Sequence, residues 1–473
     1  MNTENLRAAI VACTALMAAC APVPKIDLPA DDRNAVVEAT TTWGTGEAAW
    51  PTAGWWSRYE DPVLSSLMKD ILVANPSIAL ARAHASASAA VAEAQASSLR
   101  PHFGIRVAPG RQQISANGMF PAPFGGQTFT LLEIASALTY RLDLTGVARA
   151  QVGARVQEAA AAREEAARAA EAVAATTARV YFELAAAIAD RESLAQIYQQ
   201  VVRIRAIADA RADAGLDAAA AAHHTAAETE AFVEQLAAAD ERIARAKEVL
   251  AALAGQGPDA MQGLQPKALA AAHSLALPKD MRLGLLARRA DVRAARDRVA
   301  AVAYEQVAAH RAYLPDLEFN ANFGLQSRTA GRLFESGSHE WSAGPALSLP
   351  IFDGGQRAAA VRIQDAQYAA MRADYQATVI RAVDEVSRAL SGRTANAASL
   401  AAVEKAKDAD VLAMKSVERR YAAGISAETE LHAAQIHVLE REREIIRLVA
   451  RAKTLDVDLI EALGGTTREE KAK

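Results

Sequence analysis

The sequence contains very little cysteine and few aromatic residues. Its two cysteines stand at positions 13 and 20 of 473 residues, so no disulfide framework can hold a chain of this length together. Aromatic residues make up 5% of the chain against 51% hydrophobic residues in all, and alanine is abundant throughout. Because alanine is the strongest helix former, this composition indicates a fold held by packed helices rather than by crosslinks.

The sequence also lacks an excess of charge of either sign. It has 52 basic and 56 acidic residues and a formal net charge of -4, a balance that does not suggest binding to nucleic acid, which needs a clustered basic surface. With 23% charged residues the chain can build a core and is not disordered in bulk. No nucleophile, general base and oxyanion-binding group occur together, so we expect neither enzymatic activity nor a cofactor.

The first apolar run is too short to cross a bilayer. Arg7 precedes an apolar stretch at residues 8–19, which fits the hydrophobic region of a signal peptide. The Leu-Met-Ala-Ala segment before Cys20 resembles the cleavage box of bacterial lipoproteins, so we expect a signal peptide at 1–19 and an acylated Cys20. An ordinary signal peptide with an incidental cysteine is the alternative. Ala21, in place of aspartate, favours sorting to the outer membrane.

Long apolar runs are missing after Cys20. No stretch of eighteen apolar residues follows it, so the sequence predicts no transmembrane helix. Such a chain could cross a membrane only as a closed β-barrel, because open strand edges would leave backbone groups unpaired in lipid.

The chain consists of two copies of one unit. Residues 78–82 align with residues 292–296, and the same offset of 214 places Pro101 on Pro315 without a gap. Both halves have the same order of features: a helix, two strands, a very long helix, an Ala-Gly turn and a long returning helix.

Two later segments extend the repeat to the end of each half. Residues 214–216 match residues 423–425, and residues 252–255 match residues 462–465. The predicted boundaries are a signal peptide at 1–19, an extended arm at 20–61, a first repeat at 62–255 (strands near 102–116 and 128–144, hairpin 147–254), a linker at 256–281, a second repeat at 282–465 (strands near 316–329 and 340–352, hairpin 354–463) and a tail at 466–473.

The predicted strands alternate strictly between apolar and polar residues. In residues 317–325, Leu317, Phe319 and Phe323 fall on one face, and Glu318 and Asn320 fall on the other. This alternation is typical of a membrane β-barrel strand, and equally of any half-buried antiparallel strand. The same alternation recurs at 103–107, 132–142 and 341–351.

The predicted helices are unusually long. Residues 354–423 contain no helix breaker except Gly392, and their apolar stripe recurs at spacings typical of a coiled coil. Seventy residues of helix would be about 105 Å long. Residues 147–214 form a similar rod, and the returning helices are predicted at 216–254 and 425–463.

Four strands cannot close a membrane barrel, since the smallest stable barrels need about eight. The strands must therefore be pooled between copies of the chain, with the helical hairpins projecting as a bundle or tube, which describes a channel. A periplasmic coiled-coil scaffold without a pore is the alternative. It would leave the alternating faces at 132–142 and 317–325 unexplained.

Four segments resemble one family. They are the Trp-Trp…Asp-Pro segment at 55–64, Leu-Leu-Ala-Arg-Arg-Ala-Asp-Val-Arg at 285–293, Leu-Ser-Leu-Pro-Ile-Phe-Asp-Gly-Gly at 347–355 and Tyr-Ala-Ala-Gly at 421–424. Together they resemble the TolC superfamily, and within it the NodT-type outer-membrane lipoproteins of RND efflux systems. Ala290 stands where that family has proline. The resemblance extends from about residue 20 to residue 465.

This resemblance implies a mainly α fold with a membrane β-barrel. Three subunits with four strands each would form one twelve-stranded barrel that continues into a periplasmic α-barrel. The protein would be the outer-membrane channel of a tripartite RND-type pump that exports small molecules, and it would bind a periplasmic adaptor and an inner-membrane RND pump. The outer component of a type I secretion system, with the same fold, is the alternative within channels.

The resemblance also assigns roles to the hairpin tips. Gly215 with Leu216, and Gly424 with Ile425, would contact the adaptor. A left-handed glycine cap accounts physically for the chain reversal at each turn. Asp217 and Ser426 would cap the returning helices only if the caps lie two residues beyond the glycine.

In channels of this kind, carboxylates on the helix after the second tip narrow the periplasmic end of the pore. Glu430 matches the first such position, Ala433 the second, and Ser426 a polar position that helps to hold the closed state. Three copies of Glu430 would form an acidic ring that favours cations and whose mutual repulsion favours opening. The alternative is an ordinary solvated glutamate on a helix surface.

Two histidine pairs do not indicate a metal site. Neither His223 with His224 nor His432 with His437 has the spacing of a helical zinc site, and no cysteine assists them. We expect no bound metal.

Overall fold

A computed structural model of the chain describes residues 50–120, 122–269 and 288–465. Cys20, the signal peptide, most of the predicted arm, the second half of the linker and the tail lie outside the described residues. The chain divides into two compact units. The sheet unit contains Ala85–Ala162 and Ala295–Tyr375, and the helical unit contains residues 50–84, Arg163–Ala294 and the chain from Gln376 onward.

Within the described residues, the first half of the chain has one more α-helix than the second, and the order of the other α-helices and strands is the same in both. In the first half they are α1 (Pro62–Ala74), α2 (Pro76–Ser97), β1 (His102–Gln113), β2 (Thr128–Leu142), α3 (Val147–Asp213) and α4 (Ala219–Leu253). In the second half they are α5 (Ala290–Arg311), β3 (Asp316–Ser327), β4 (His339–Ser348), α6 (Gln356–Ala422) and α7 (Glu428–Ala462).

The sheet unit contains one antiparallel sheet of four strands in the order β1-β2-β3-β4. The two halves of the chain meet at the β2–β3 pair, where Leu142 lies opposite Leu317 and Leu132 opposite Ser327. β4 ends at Ser348, two residues before Pro350.

The helical unit is built around one apolar cluster. α1 and the short 3-10 helix before it pack against α3, α4 and α7. Leu64, Met68 and Ile71 of α1 have no appreciable solvent exposure, and neither do Leu184 and Leu250. In this core the ends of α4 and α7 meet the middle of α3.

Two Asx-Pro pairs start the first two helices. The Asp61 carboxylate accepts hydrogen bonds from the backbone N–H groups of Val63 (2.9 Å) and Leu64 (3.1 Å), and Pro62 occupies the first helical position. Asn75 caps α2 in the same way, and its side-chain amide donates to the Leu253 carbonyl at 2.7 Å. The Asp-Pro and Asn-Pro motifs are therefore N-caps, and a bend of 43° between α1 and α2 lies at the Asn75-Pro76 pair.

The predicted arm at 20–61 is wrong in its final part. Residues Trp55–Tyr59 form a 3-10 helix, and the side chains of Trp55 and Trp56 are buried in the cluster of the helical unit. The lack of periodicity in so short a segment conceals this packing, because one turn of helix gives no repeat to recognise.

The repeat is in register with an offset of 209 throughout the hairpins. α3 and α6 have 67 residues each, and α4 and α7 have 35 each. Gly255 (φ 67°) therefore corresponds to Gly464 (φ 76°) and not to Gly465, which corrects the last sequence match by one residue. Both glycines adopt the left-handed conformation just after the end of a helix.

One helix after Cys20 bears on the expectation that the chain has no transmembrane helix. α3 contains an 18-residue window long and apolar enough to cross a membrane by composition. Half of that window is buried inside the protein, as in a core helix of a soluble protein. Its high alanine content accounts for the hydropathy.

A buried hydroxyl joins α3 to the start of α1. Tyr181 donates to the Asp61 carboxylate at 2.6 Å and accepts from the Lys267 backbone N–H at 3.1 Å. Burial, and then the bond to Asp61, raise the pKa of Tyr181. The phenol therefore stays protonated and keeps its role as donor.

We predict that Tyr181→Phe destabilises the protein by about 1–3 kcal/mol, because the buried Asp61 carboxylate and the Lys267 backbone N–H lose their partner. Denaturant unfolding of the purified protein would measure this. Tyr198→Phe on the same helix is the control, since its hydroxyl has no partner among the described residues. Equal stability of both variants would contradict the prediction.

A carboxyl on α3 is buried among charged groups of the helical unit. Burial raises the pKa of Glu171 to about 7, against the lowering effect of the Arg168, Arg293 and Arg289 guanidiniums, and Asp291 adds to the rise. Because the folded pKa exceeds the ordinary one, the stabilising contribution is complete below the ordinary pKa of 4.5 and is lost as pH rises through about 7.

Glu171→Gln should remove this dependence. We expect the variant to match wild type near pH 5 and to exceed it near pH 8 by up to about 3 kcal/mol in free energy of unfolding. Denaturation midpoints at the two pH values would measure it. Glu183→Gln, an exposed position on the same helix, should follow the wild-type pH dependence. A constant gap between Glu171→Gln and wild type would contradict the prediction.

Candidate functional site: the sheet faces and the hairpin tips

One face of the sheet is apolar across all four strands. The register aligns Phe103 with Leu138, Leu138 with Ala321, and Ala321 with Ala343, so that the apolar positions of every strand coincide. We call this the apolar face. A continuous exposed apolar surface of this kind indicates contact with another apolar surface. Its exposed members include Phe103, Ile105, Val107, Phe323, Trp341 and Leu347.

The opposite face carries the charged and amide side chains, and we call it the polar face. Arg141 binds Asp316 through two nitrogens, with a shortest distance of 2.7 Å, and Arg106 lies 3.5 Å from Glu133. These exposed ion pairs contribute little to stability, but they mark the face as one in contact with water.

The two ends of the sheet differ. The antiparallel register brings the start of β1, the end of β2, the start of β3 and the end of β4 to one end, where the helices connect. Both hairpin loops lie at the other end. Among the described residues, no strand pairs with the outer edges of β1 and β4.

The connection from β4 to α6 explains the Asp-Gly-Gly sequence at residues 353–355. Asp353 accepts from the backbone N–H groups of Gly355 (3.0 Å) and Arg357 (3.2 Å), which caps the start of α6. Gly354 and Gly355 both have positive φ, at 63° and 88°. Only glycine adopts such a pair at little cost.

The first hairpin reverses at Gly215, whose φ is 69°. The Leu216 N–H donates to the Arg211 carbonyl at 2.9 Å, which closes a glycine C-cap. Arg211 also binds the Asp217 carboxylate, at 2.6 Å from Nε. Asp217 therefore does not cap α4, whose N-cap residue is Ala218. Leu216 is 68% exposed at the tip.

The second hairpin reverses at Gly424 in the same way, with φ 72°. The Ile425 N–H donates to the Arg420 carbonyl at 2.8 Å, and Ile425 is 70% exposed. The two tips thus share one backbone turn and one exposed aliphatic side chain, at equivalent positions.

The tips differ in their polar contacts. Ser426 stands in the position equivalent to Asp217, and its hydroxyl donates to the Glu430 carboxylate. Glu430 is exposed in the first turn of α7, where a carboxylate is favoured by the helix dipole. Sequence reasoning singled out both residues but missed the Arg211–Asp217 pair. The available signal was an arginine six residues before the equivalent tip positions: Arg211 precedes Asp217, and Arg420 precedes Ser426.

Glu428 and Glu430 have different partners. Glu428 lies 3.5 Å from Nε2 of His432, and His432 is buried with Nδ1 2.8 Å from the Gln200 amide oxygen on α3. Ala433 is half-buried on the same helix. The histidine therefore ties α7 to α3. Within the described parts of the chain, no group of three or more His, Cys, Asp or Glu side chains is arranged to hold a metal ion.

A buried carboxylate joins three helices further from the tips. Asp190 of α3 accepts from Arg443 of α7 (2.8 Å) and from Arg242 of α4 (3.1 Å). Burial alone would raise the pKa of Asp190, but the two guanidiniums hold it below its ordinary value. The sequence pattern does not reveal this contact, because its members lie far apart along the chain.

Gly424→Ala should destabilise the second tip by about 1 kcal/mol, because alanine is strained at positive φ. Gly257→Ala is a matched control: both sites have open space around the added Cβ, but Gly257 has φ −69°. Denaturant unfolding should show a loss only for Gly424→Ala. A loss of equal size in both variants would contradict the backbone argument.

Comparison with known proteins identifies the family. The family described as "Outer membrane efflux protein" matches residues 67–256 and 284–465. The multidrug resistance outer membrane protein MdtP of Escherichia coli K12 is 27% identical, over 97% of this chain and 96% of its own. The fusaric acid resistance protein FusA of Burkholderia cepacia is 28% identical, over 74% of this chain and 68% of its own.

Solved structures agree with the fold. The outer membrane protein VceC of Vibrio cholerae is similar with a TM-score of 0.79 and 28% identity, covering 89% of this chain and 100% of that one. The CmeC outer membrane channel of Campylobacter jejuni has a TM-score of 0.85 at 20% identity, covering 95% of this chain and 96% of that one, and shows the fold alone. These matches confirm the mainly α, TolC-like architecture expected from the motifs. The chain belongs to the outer membrane efflux protein family.

Proposed function

We propose that three copies of this chain form the outer-membrane channel of a tripartite RND-type pump that exports small molecules from the periplasm. The open sheet is the observation that carries the proposal. Its apolar face is exposed, and the outer edges of β1 and β4 have no partner strand within the described chain. In lipid, such edges must be paired with strands of other copies.

The dimensions of the sheet support a membrane barrel. The strands have 12, 15, 12 and 10 residues, and a tilted membrane strand needs roughly 9–11. The apolar face would contact lipid, and the polar face would line the water-filled lumen. Twelve strands from three copies exceed the minimum of about eight for a stable barrel.

The hairpin tips would contact the periplasmic adaptor. Leu216 and Ile425 are exposed aliphatic side chains held at equivalent positions by Gly215 and Gly424. Each copy would therefore present two apolar side chains in equivalent positions, and the adaptor could contact both in the same way. The adaptor would in turn bind the inner-membrane RND pump.

Cys20 would anchor the chain in the outer membrane by acylation. This part of the proposal rests on the Leu-Met-Ala-Ala-Cys segment, and Cys20 lies outside the described residues. An acyl chain together with a barrel would hold the protein at the inner leaflet, where the helices extend into the periplasm.

Glu430 would line the periplasmic end of the pore. It is exposed near the second tip, and Ser426 is its one hydrogen-bonding side chain among the described residues. Three such carboxylates around an axis would form a ring that attracts cations.

Single-channel recording in planar bilayers tests these assignments. Wild-type protein should give discrete conductance steps, and Glu430→Ala should lower the cation-to-anion permeability ratio roughly two- to five-fold. Glu428→Ala is the matched control, since Glu428 contacts His432 instead, and it should keep the wild-type ratio.

The outcomes separate the two claims. Unchanged selectivity in Glu430→Ala, with normal steps, would reject the acidic ring and leave the channel. A well-folded protein that forms neither trimers nor membrane-inserted species would reject the channel. A pore-free scaffold accounts for neither the apolar face nor the family match, and no observation favours a type I secretion component.

A further inference from the structure

A groove in the helical unit runs over α3, between α4 and α7. Its volume is about 490 Å³, which lies within the range of small-molecule sites in proteins. All of its lining residues belong to these three helices, so a single copy of the chain forms the whole groove.

The floor of the groove is apolar and consists of small side chains. Val180 and Ala187 of α3 line it together with Ala246 of α4 and Ala450 of α7. Side chains of this size leave room for an apolar body to lie close to the helix backbones, where it would lose contact with water.

The floor faces away from the apolar cluster of the helical unit. Val180, Glu183 and Ala187 recur at spacings of three and four along α3, which places them on one side of the helix. Ala178 and Tyr181, which pack in the cluster, lie on the opposite side at 100° per residue. The cluster therefore does not fill the groove.

The walls of the groove are basic. Arg242 and Arg245 stand on the α4 side, and Arg447 and Arg451 stand on the α7 side. A guanidinium stays charged in proteins and presents a planar fork of donors. Both walls therefore offer hydrogen-bond donors with a positive charge above an apolar floor.

The α4 wall has its own counterions. Asp190, a lining residue, accepts from Arg242 at 3.1 Å and from Arg443 at 2.8 Å, so its charge is neutralised. Arg245 binds the Glu241 carboxylate. Glu183 is the remaining acidic group of the lining and takes part in no ion pair within the described chain.

The α7 wall has none. The Arg447 Nε donates to the Arg443 carbonyl at 3.4 Å, and neither Arg447 nor Arg451 has a carboxylate partner in the described parts of the chain. They stand four residues apart on one side of α7, an arrangement in which like charges destabilise a helix. An anion bound between them would relieve this repulsion.

We infer that the groove binds an amphipathic organic anion, with its apolar body on the floor and its carboxylate, sulfonate or phosphate group on Arg447 and Arg451. Guanidinium forks bind such oxyanions through paired, charge-assisted hydrogen bonds. An inorganic anion would leave the floor uncovered, and an uncharged ligand would leave both arginines without a counterion. Because one copy forms the groove, the inference does not rest on the proposed trimer.

Fluorescence anisotropy of fluorescein added to the purified protein in non-ionic detergent tests the site. Fluorescein is a rigid organic dianion near pH 8, and rhodamine 123 has the same ring system with a positive charge. Fluorescein should bind wild type saturably, and rhodamine 123 should not, because the walls of the groove would repel it.

Arg447→Gln/Arg451→Gln should raise the Kd for fluorescein about tenfold or more, because two charge-assisted hydrogen-bonding groups are lost. Arg419→Gln/Arg420→Gln is the matched control. It removes the same charge from exposed positions of α6 that do not line the groove, so it should keep the wild-type Kd.

Ala187→Phe provides a second test that leaves every charge in place. The larger side chain would occupy the apolar floor and should also raise the Kd for fluorescein. This variant decides the question if the double arginine variant does not fold.

The inference would be overturned by the absence of saturable fluorescein binding to wild type, or by equal binding of rhodamine 123. An unchanged Kd in both groove variants would place the ligand elsewhere and overturn it too. Equal losses in the arginine variant and its control would reveal a response to net charge alone. Conductance steps from a wild type that does not bind fluorescein would reject the groove and leave the channel.

Discussion

The pairing of backbone groups at the edges of the sheet is the constraint on which the architecture depends. A four-stranded sheet with one apolar face can be buried in lipid only if β1 and β4 find further strands. One chain cannot supply them, since its remaining described elements are helices and 3-10 turns. In the proposed channel, oligomerisation follows from this geometry, and the lumen is a consequence of closing the barrel.

The duplication explains how one sheet carries two long hairpins. Each half contributes two strands and a pair of helices of matching length, and the β2–β3 ladder joins the halves. Within the hairpins the helices of the two halves have equal lengths, and the halves differ there in their side chains. At the tips, Asp217 bound to Arg211 corresponds to Ser426 bound to Glu430. The two tips therefore offer similar shapes with different charge.

The helical unit solves a separate problem. Each alanine side chain buries little apolar surface, so larger apolar side chains are needed where alanine-rich helices meet. Trp55 and Trp56 together with α1 supply them, and Asp61 fixes them by capping α1 and accepting from Tyr181. The Trp-Trp…Asp-Pro segment at 55–64 therefore has a structural role: its tryptophans pack in the core, and its aspartate caps α1 and binds the Tyr181 hydroxyl.

Strand faces, helix lengths and the turn glycines could be predicted from the sequence alone, because each depends on a local period or on a local backbone conformation. The resemblance carried by four segments likewise led to the family. The sequence did not predict the burial of Trp55, the one-residue correction at Gly464, the Arg211–Asp217 pair or the groove between α4 and α7. These depend on which side chains and segments meet in space, across the core or around a turn. Only tertiary structure decides that, because contacts across a core or a turn leave no period along the chain.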